Sequence, residues 1–143
     1  MFFKCIDFEK LYEQKILQII VSPSNSHLCF NGGIDLVYSK IFPGIEEKLV
    51  SKANNIKYEK CTIPYKNVKY IVPVGKTIIC ETNDSNCPFI LAAPTMRLPR
   101  DINGTDNIYK CMFAILEKIS EINNPMIIGC PCLGTGIGNV SAE

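Results

Sequence analysis

The chain has 143 residues, enough for one domain with a sizeable core, and its 47% hydrophobic and 20% charged side chains exclude a disordered chain. Fifteen basic residues oppose fourteen acidic ones for a formal charge of +1. Lys and Arg are scattered among Asp and Glu, so neither nucleic-acid binding nor another long-range electrostatic partner is implied.

Residues 16–21, the longest apolar stretch near the start, contain Gln18 and are far too short to span a bilayer. The first residues lack a basic region followed by a signal-type apolar run. A single domain over residues 1–143 is expected, intracellular and cytoplasmic, with no membrane partner. Sequons at Asn83, Asn103 and Asn139 then carry no weight. The eight cysteines are expected as reduced thiols, because several (Cys80, Cys130) sit inside apolar runs where a thiol acts as a small hydrophobe.

In chain order, residues 17–21 form a continuous apolar run ending at Ser22 and Pro23, the pattern of a buried strand entering a loop. Asn31, Gly32 and Gly33 then break the chain. Ile34, Val37, Ile41 and Ile45 recur at helical spacing, and Pro43 with Gly44 divides this stretch into two short helices, the second ending near Asn54. Residues 58–73 admit one strand, limited by Pro64 and Pro73. Residues 77–81 read as a strand, 83–86 as a turn and 89–93 as a second buried strand. The clearest helix starts near Thr105 or Asp106, either available as N-cap, with Ile108, Met112, Ile115, Leu116 and Ile119 as one apolar stripe. Residues 126–130 follow as a short buried strand, and a glycine-rich tail begins at Pro131. The alternation predicts a mixed α/β sheet with helices on its faces.

Three strand ends lead into loops of unusual content: Ser22-Pro23-Ser24-Asn25-Ser26 with Asn31-Gly32-Gly33-Ile34-Asp35, then Ala93-Pro94-Thr95-Met96-Arg97-Leu98-Pro99, then Leu133-Gly134-Thr135-Gly136-Ile137-Gly138. Glycines let backbone N–H groups approach a ligand, and a helix N-terminus adds unpaired donors and a dipole that favours phosphate. Ligands of open α/β sheets sit beyond the carboxyl ends of the strands. Two such loops side by side suit a diphosphate. Val74-Gly75-Lys76-Thr77 resembles the end of a P-loop, but Tyr70 stands where the earlier glycine must be and a strand follows.

Together, in this order, the three segments resemble the Asn-Ala-Ala-Asn … Gly-Gly-Val-Asp, Ala-Pro-Thr-Met-Arg-Val-Pro and Pro-Gly-Leu-Gly-Thr-Gly-Val-Gly segments of macro domains. The likeness is to a phage and large-virus branch carrying Ser-Pro-Ala-Asn-Ser, and it covers about residues 17 to 140. It implies a three-layer α/β/α macro-like domain with a mixed central sheet, whose cleft binds ADP-ribose or an ADP-ribosylated protein or metabolite.

By the same resemblance, Asn25 contacts the distal ribose and Ser24 lies in its loop. Gly32, Gly33 and Ile34 form the first phosphate loop, while Gly134, Thr135, Gly136, Ile137 and Gly138 form the second. Asp7, in Ile6-Asp7-Phe8, stands for the carboxylate that takes the adenine amine; its other reading is a helix cap beside Glu9. Asp35 matches a carboxylate that orients or activates water in ADP-ribosyl hydrolases, with Asn25 as second catalytic residue; its other reading is stabilisation of the helix N-terminus. The rival functions are ADP-ribose-1″-phosphate phosphatase, a sensor without turnover, and a degenerate interaction module. Asn139-Val140 departs from the aromatic residue that many active members carry. The family continues into a final helix beyond the position of Glu143, and its loss would expose one sheet face and favour association or lower stability.

His27, the only histidine, is expected to face solvent from its loop, and one histidine supports neither a zinc deaminase nor a Ser/His/Asp triad. Cys130 and Cys132 lack the second ligand pair of a zinc site, so no metal or cofactor is expected. Cys132 could border the phosphate loop as a thiol of lowered pKa. Arg97 could cover the cleft rim or pair with a carboxylate.

Overall fold

The computed structural model describes residues 7–122, 124 and 126–141. A short helix, α1 (Phe8–Glu13), precedes the first apolar run, which forms β1 (Ile19–Ser22), buried at every position. Helices α2 (Gly33–Ile41) and α3 (Ile45–Ile56) are separated at Pro43 and Gly44, as the sequence predicts. Two minor strands, β2 (Glu59–Lys60) and β3 (Tyr70–Ile71), precede β4 (Ile78–Glu81) and β5 (Phe89–Ala92). The long helix α4 (Asn107–Ser120) and the strand β6 (Ile128–Gly129) complete the order.

The main sheet runs β4-β5-β1-β6, with β1 parallel to both β5 and β6 and β4 antiparallel to β5. It is therefore the mixed sheet expected. Alternation along the strands divides the core in two. Ile20, Ile90 and Ala92 meet Tyr38, Leu49 and Ala53 of α2 and α3 together with Phe42, the C-cap of α2, while Ile19, Val21 and Leu91 meet Cys111 and Ile115 of α4. Helices thus cover both faces, giving the α/β/α layering. Among the described residues no helix is long and apolar enough to cross a membrane, and the seven described cysteines are free thiols.

Three elements differ from expectation. Residues 58–73 hold two strands of two residues each, paired antiparallel outside the main sheet. Asn54 fastens the hairpin, accepting from the N–H groups of Lys69 and Tyr70 and donating to the Asn67 carbonyl. The expected buried strand at 126–130 shortens to β6, which lies half-buried at the sheet edge with Ile127 45% exposed. On α4 the fully buried positions are Cys111, Ala114 and Ile115, whereas Leu116 is 39% exposed. Ile108, Met112 and Ile119 of the expected stripe do pack against the cluster that holds Cys111 and Ile115. At the start of α4 Asp106 holds the N-cap position without capping; Thr105 Oγ1 instead accepts from the Asn107 N–H.

Candidate functional site

The parallel register of β1 and β5, which sets Ser22 beside Ala92, brings their carboxyl ends out of the sheet together. The pairing continues into the loops: Ala93 N–H donates to Ser22 O at 2.9 Å, Thr95 N–H to Ser24 O at 3.0 Å and Ser26 N–H to Met96 O at 2.9 Å. Beyond this edge lies a cleft of about 510 Å3, lined by residues following β1, β5 and β6.

Of the residues singled out in the sequence, the cleft gathers Asn25, Gly32, Gly33, Ile34, Asp35, Gly134, Thr135, Gly136, Ile137 and Gly138. Ser24 and Asp7 are not among its lining residues. Ser24 is buried behind the loop with a hydroxyl that meets no partner. Asp7 caps α1, accepting from Glu9 N–H at 3.2 Å. Besides Cys132, which the sequence places beside the phosphate loop, the cleft also takes in Cys29, Asn31, Thr95 and Met96, which sequence reasoning did not select as site residues. Thr95 and Met96 were within reach of it, since their segment follows a strand end.

Each wall has a physical cause. Gly33 opens α2 with φ +57, a conformation that favours glycine, and neither a cap side chain nor a helical acceptor serves the first-turn N–H groups. This is a helix N-terminus free to meet an anion. Across the cleft the third loop is tied back by Val140 N–H to Gly134 O at 3.0 Å and Ile102 N–H to Gly138 O at 2.9 Å. A Cβ at Gly138 would stand 2.6 Å from the Gly134 carbonyl, so two backbone segments touch there, whereas one at Gly136 would meet nothing within 4 Å. Among the described residues, no protein acceptor takes the N–H groups of Thr135, Gly136, Ile137 and Gly138.

Asn25 shapes its own loop. Its Oδ1 accepts from His27 N–H at 3.1 Å and Cys29 N–H at 3.2 Å. His27 corrects the sequence expectation: it is 4% exposed, with Nδ1 3.1 Å from the Arg97 carbonyl, and bridges the first and second loops. Arg97 itself pairs with Glu59 at 2.7 Å, away from the cleft lining. Among the described residues no Lys, Arg or His lines the cleft, so their donors to an anion are backbone and neutral side-chain groups.

Asp35, in the first turn of α2, is the one carboxylate lining the cleft among the described residues and is only 7% exposed. Burial pushes its carboxyl up to about 6, and the Ser22 hydroxyl, donating to Oδ1 at 2.6 Å, offsets part of this. A group titrating there can accept a proton near neutral pH. Beneath it Tyr38 donates to the Val21 carbonyl at 3.1 Å, and burial holds its phenol well above the usual range.

Such a cleft, with two glycine-bearing loops at the carboxyl edge of a mixed sheet and one buried carboxylate, is suited to an anion. Residues 21–143 match the family described as Macro domain, and the chain belongs to that family. An uncharacterized protein of Aquifex aeolicus (strain VF5) is 26% identical over 126 residues, covering 87% of this chain and 66% of that protein's length. The fold matches the macrodomain of Mycobacterium tuberculosis DarG, with TM-score 0.67, 20% identity and coverage of 88% of this chain and 74% of that one. It also matches Thermosipho africanus DarTG in complex with ADP-ribose, with TM-score 0.63, 16% identity and coverage of 90% of this chain and 32% of that one.

Proposed function

We propose that the cleft binds ADP-ribose or an ADP-ribosylated metabolite or protein, and that it slowly hydrolyses a mono-ADP-ribosyl ester. The observation that carries the reading is the pair of donor-rich walls: the open N-terminus of α2 faces the unpaired N–H groups of the third loop across one cavity. Two such walls fit a diphosphate better than a single phosphate. Membership of the macro-domain family and likeness to a fold solved with ADP-ribose support the same ligand.

In this reading Gly32, Gly33 and Ile34 hold one phosphate, and Gly134 to Gly138 hold the other. Asn25 and Asp35 lie beside the distal ribose. Asp35 accepts a proton from water as the water oxygen bonds to the anomeric carbon and the acyl carboxylate leaves. Within the family we assign the chain to the phage and large-virus branch, on the likeness of residues 22–26 to its Ser-Pro-Ala-Asn-Ser loop, and we take it to act inside the cell.

Amide chemical-shift mapping tests the site. Added ADP-ribose is expected to shift Gly33, Ile34, Asp35 and Thr135 to Gly138 most. Shifts confined to another surface would remove the assignment.

A further inference from the structure

We infer that Ser22 is a positioning residue for Asp35: its hydroxyl fixes one carboxylate oxygen so that the other faces the cleft. This rests on the function proposed above and assigns a role to a side chain outside the cleft lining. Ser22 ends β1 and, by the period of two, shares a face with Ile20, which packs toward α2. It is fully buried, and its Oγ donates to Asp35 Oδ1 at 2.6 Å.

Three observations separate this arrangement from an ordinary helix cap. A carboxylate in a first turn can accept from the free N–H groups of that turn. Asp35 makes no such bond among the described residues and is held by the strand instead. Among the described residues its Oδ2 has no protein partner, yet Ser24 Oγ alone stands among their sealed side-chain polar atoms without one. Oδ2 is therefore open, and the opening available to it is the cleft that Asp35 lines.

The charge environment makes the hydroxyl consequential. Among the described residues no cation lines the cleft to hold the carboxylate ionised. Tyr38 on α2 lies within electrostatic reach of Asp35, and the thiols Cys29 and Cys132 share the lining of its cleft. Ser22 is then the group that both orients Asp35 and favours its charged form.

The test is Ser22→Ala, which removes one oxygen from a buried site and adds no volume. Its fold is checked by circular dichroism, its ADP-ribose affinity by calorimetry and its Asp35 carboxyl by 13C NMR titration. Affinity is expected to stay within about threefold, because Ser22 does not line the cleft. The Asp35 titration and the acid limb of the ester-hydrolysis profile are both expected to rise by about one pH unit. The turnover number is expected to fall about tenfold at neutral pH with KM little changed. An Asp35 titration identical in the folded variant and the parent would overturn the inference. If the parent shows no turnover, the hydrolase reading fails while the NMR titration still decides the role of Ser22.

Discussion

Asp35 and Gly136 show how single residues divide stability from function. The Asp35 carboxyl titrates at about 6 in the folded protein, against about 4 for an unperturbed aspartate. The folded state therefore holds the extra proton between those values. The contribution of Asp35 to stability is greatest below about pH 4 and is lost as pH rises through 6. Asp35→Asn keeps the volume and removes the buried charge. It is predicted to raise unfolding free energy by up to about 3 kcal/mol above pH 7, the gain vanishing below about pH 4. Urea titrations at both pH values check this, and an equal gain at both would contradict it. Gly136 is the opposite case, since a side chain there would project into open space. Gly136→Val is predicted to keep the melting temperature within about 2 °C while weakening ADP-ribose binding at least about tenfold, a loss of about 1.4 kcal/mol. Unchanged affinity would remove the third loop as a phosphate site.

At the scale of elements, the two helical layers carry different shares of the core. Leu49 on α3 is fully buried, whereas Phe113 on α4 is 58% exposed and stacks on exposed Tyr109. Leu49→Ala is predicted to cost about 2–5 kcal/mol in chemical denaturation, and Phe113→Ala to stay within about 0.5 kcal/mol. A comparable loss at both positions would mean that the outer face of α4 is covered in solution.

The same elements show what the sequence could report. Pro43 and Gly44 mark the break between α2 and α3 because both constrain the backbone locally, and Gly44 adopts φ +81. The β2–β3 hairpin was not legible, since two-residue strands leave no period to read and Asn54 holds them from a distance. The glycine loops were visible because glycine and asparagine at a strand end are local signals. The Ser22–Asp35 bond was not, because it depends on how α2 docks on β1. His27 was misjudged for the same reason: its partner, the Arg97 carbonyl, is 70 residues away.

For the whole molecule, one mixed sheet separates two hydrophobic clusters and delivers three loops to a single edge. The cleft exists because β1, β5 and β6 run parallel, so that their carboxyl ends coincide. Among the described residues it carries no basic side chain, which makes the backbone of α2 and of the third loop responsible for an anion held there. Binding should accordingly depend only weakly on salt compared with a site built from Lys and Arg.

Calorimetric titration with ADP-ribose, AMP and ADP tests this account most directly. ADP-ribose is predicted to bind one per chain, more tightly than ADP and much more tightly than AMP, because AMP fills one loop, ADP fills both, and ADP-ribose alone also reaches Asn25 and Asp35 through its distal ribose. No detectable heat with any of the three at millimolar concentration would contradict the nucleotide cleft and leave the fold as an interaction surface.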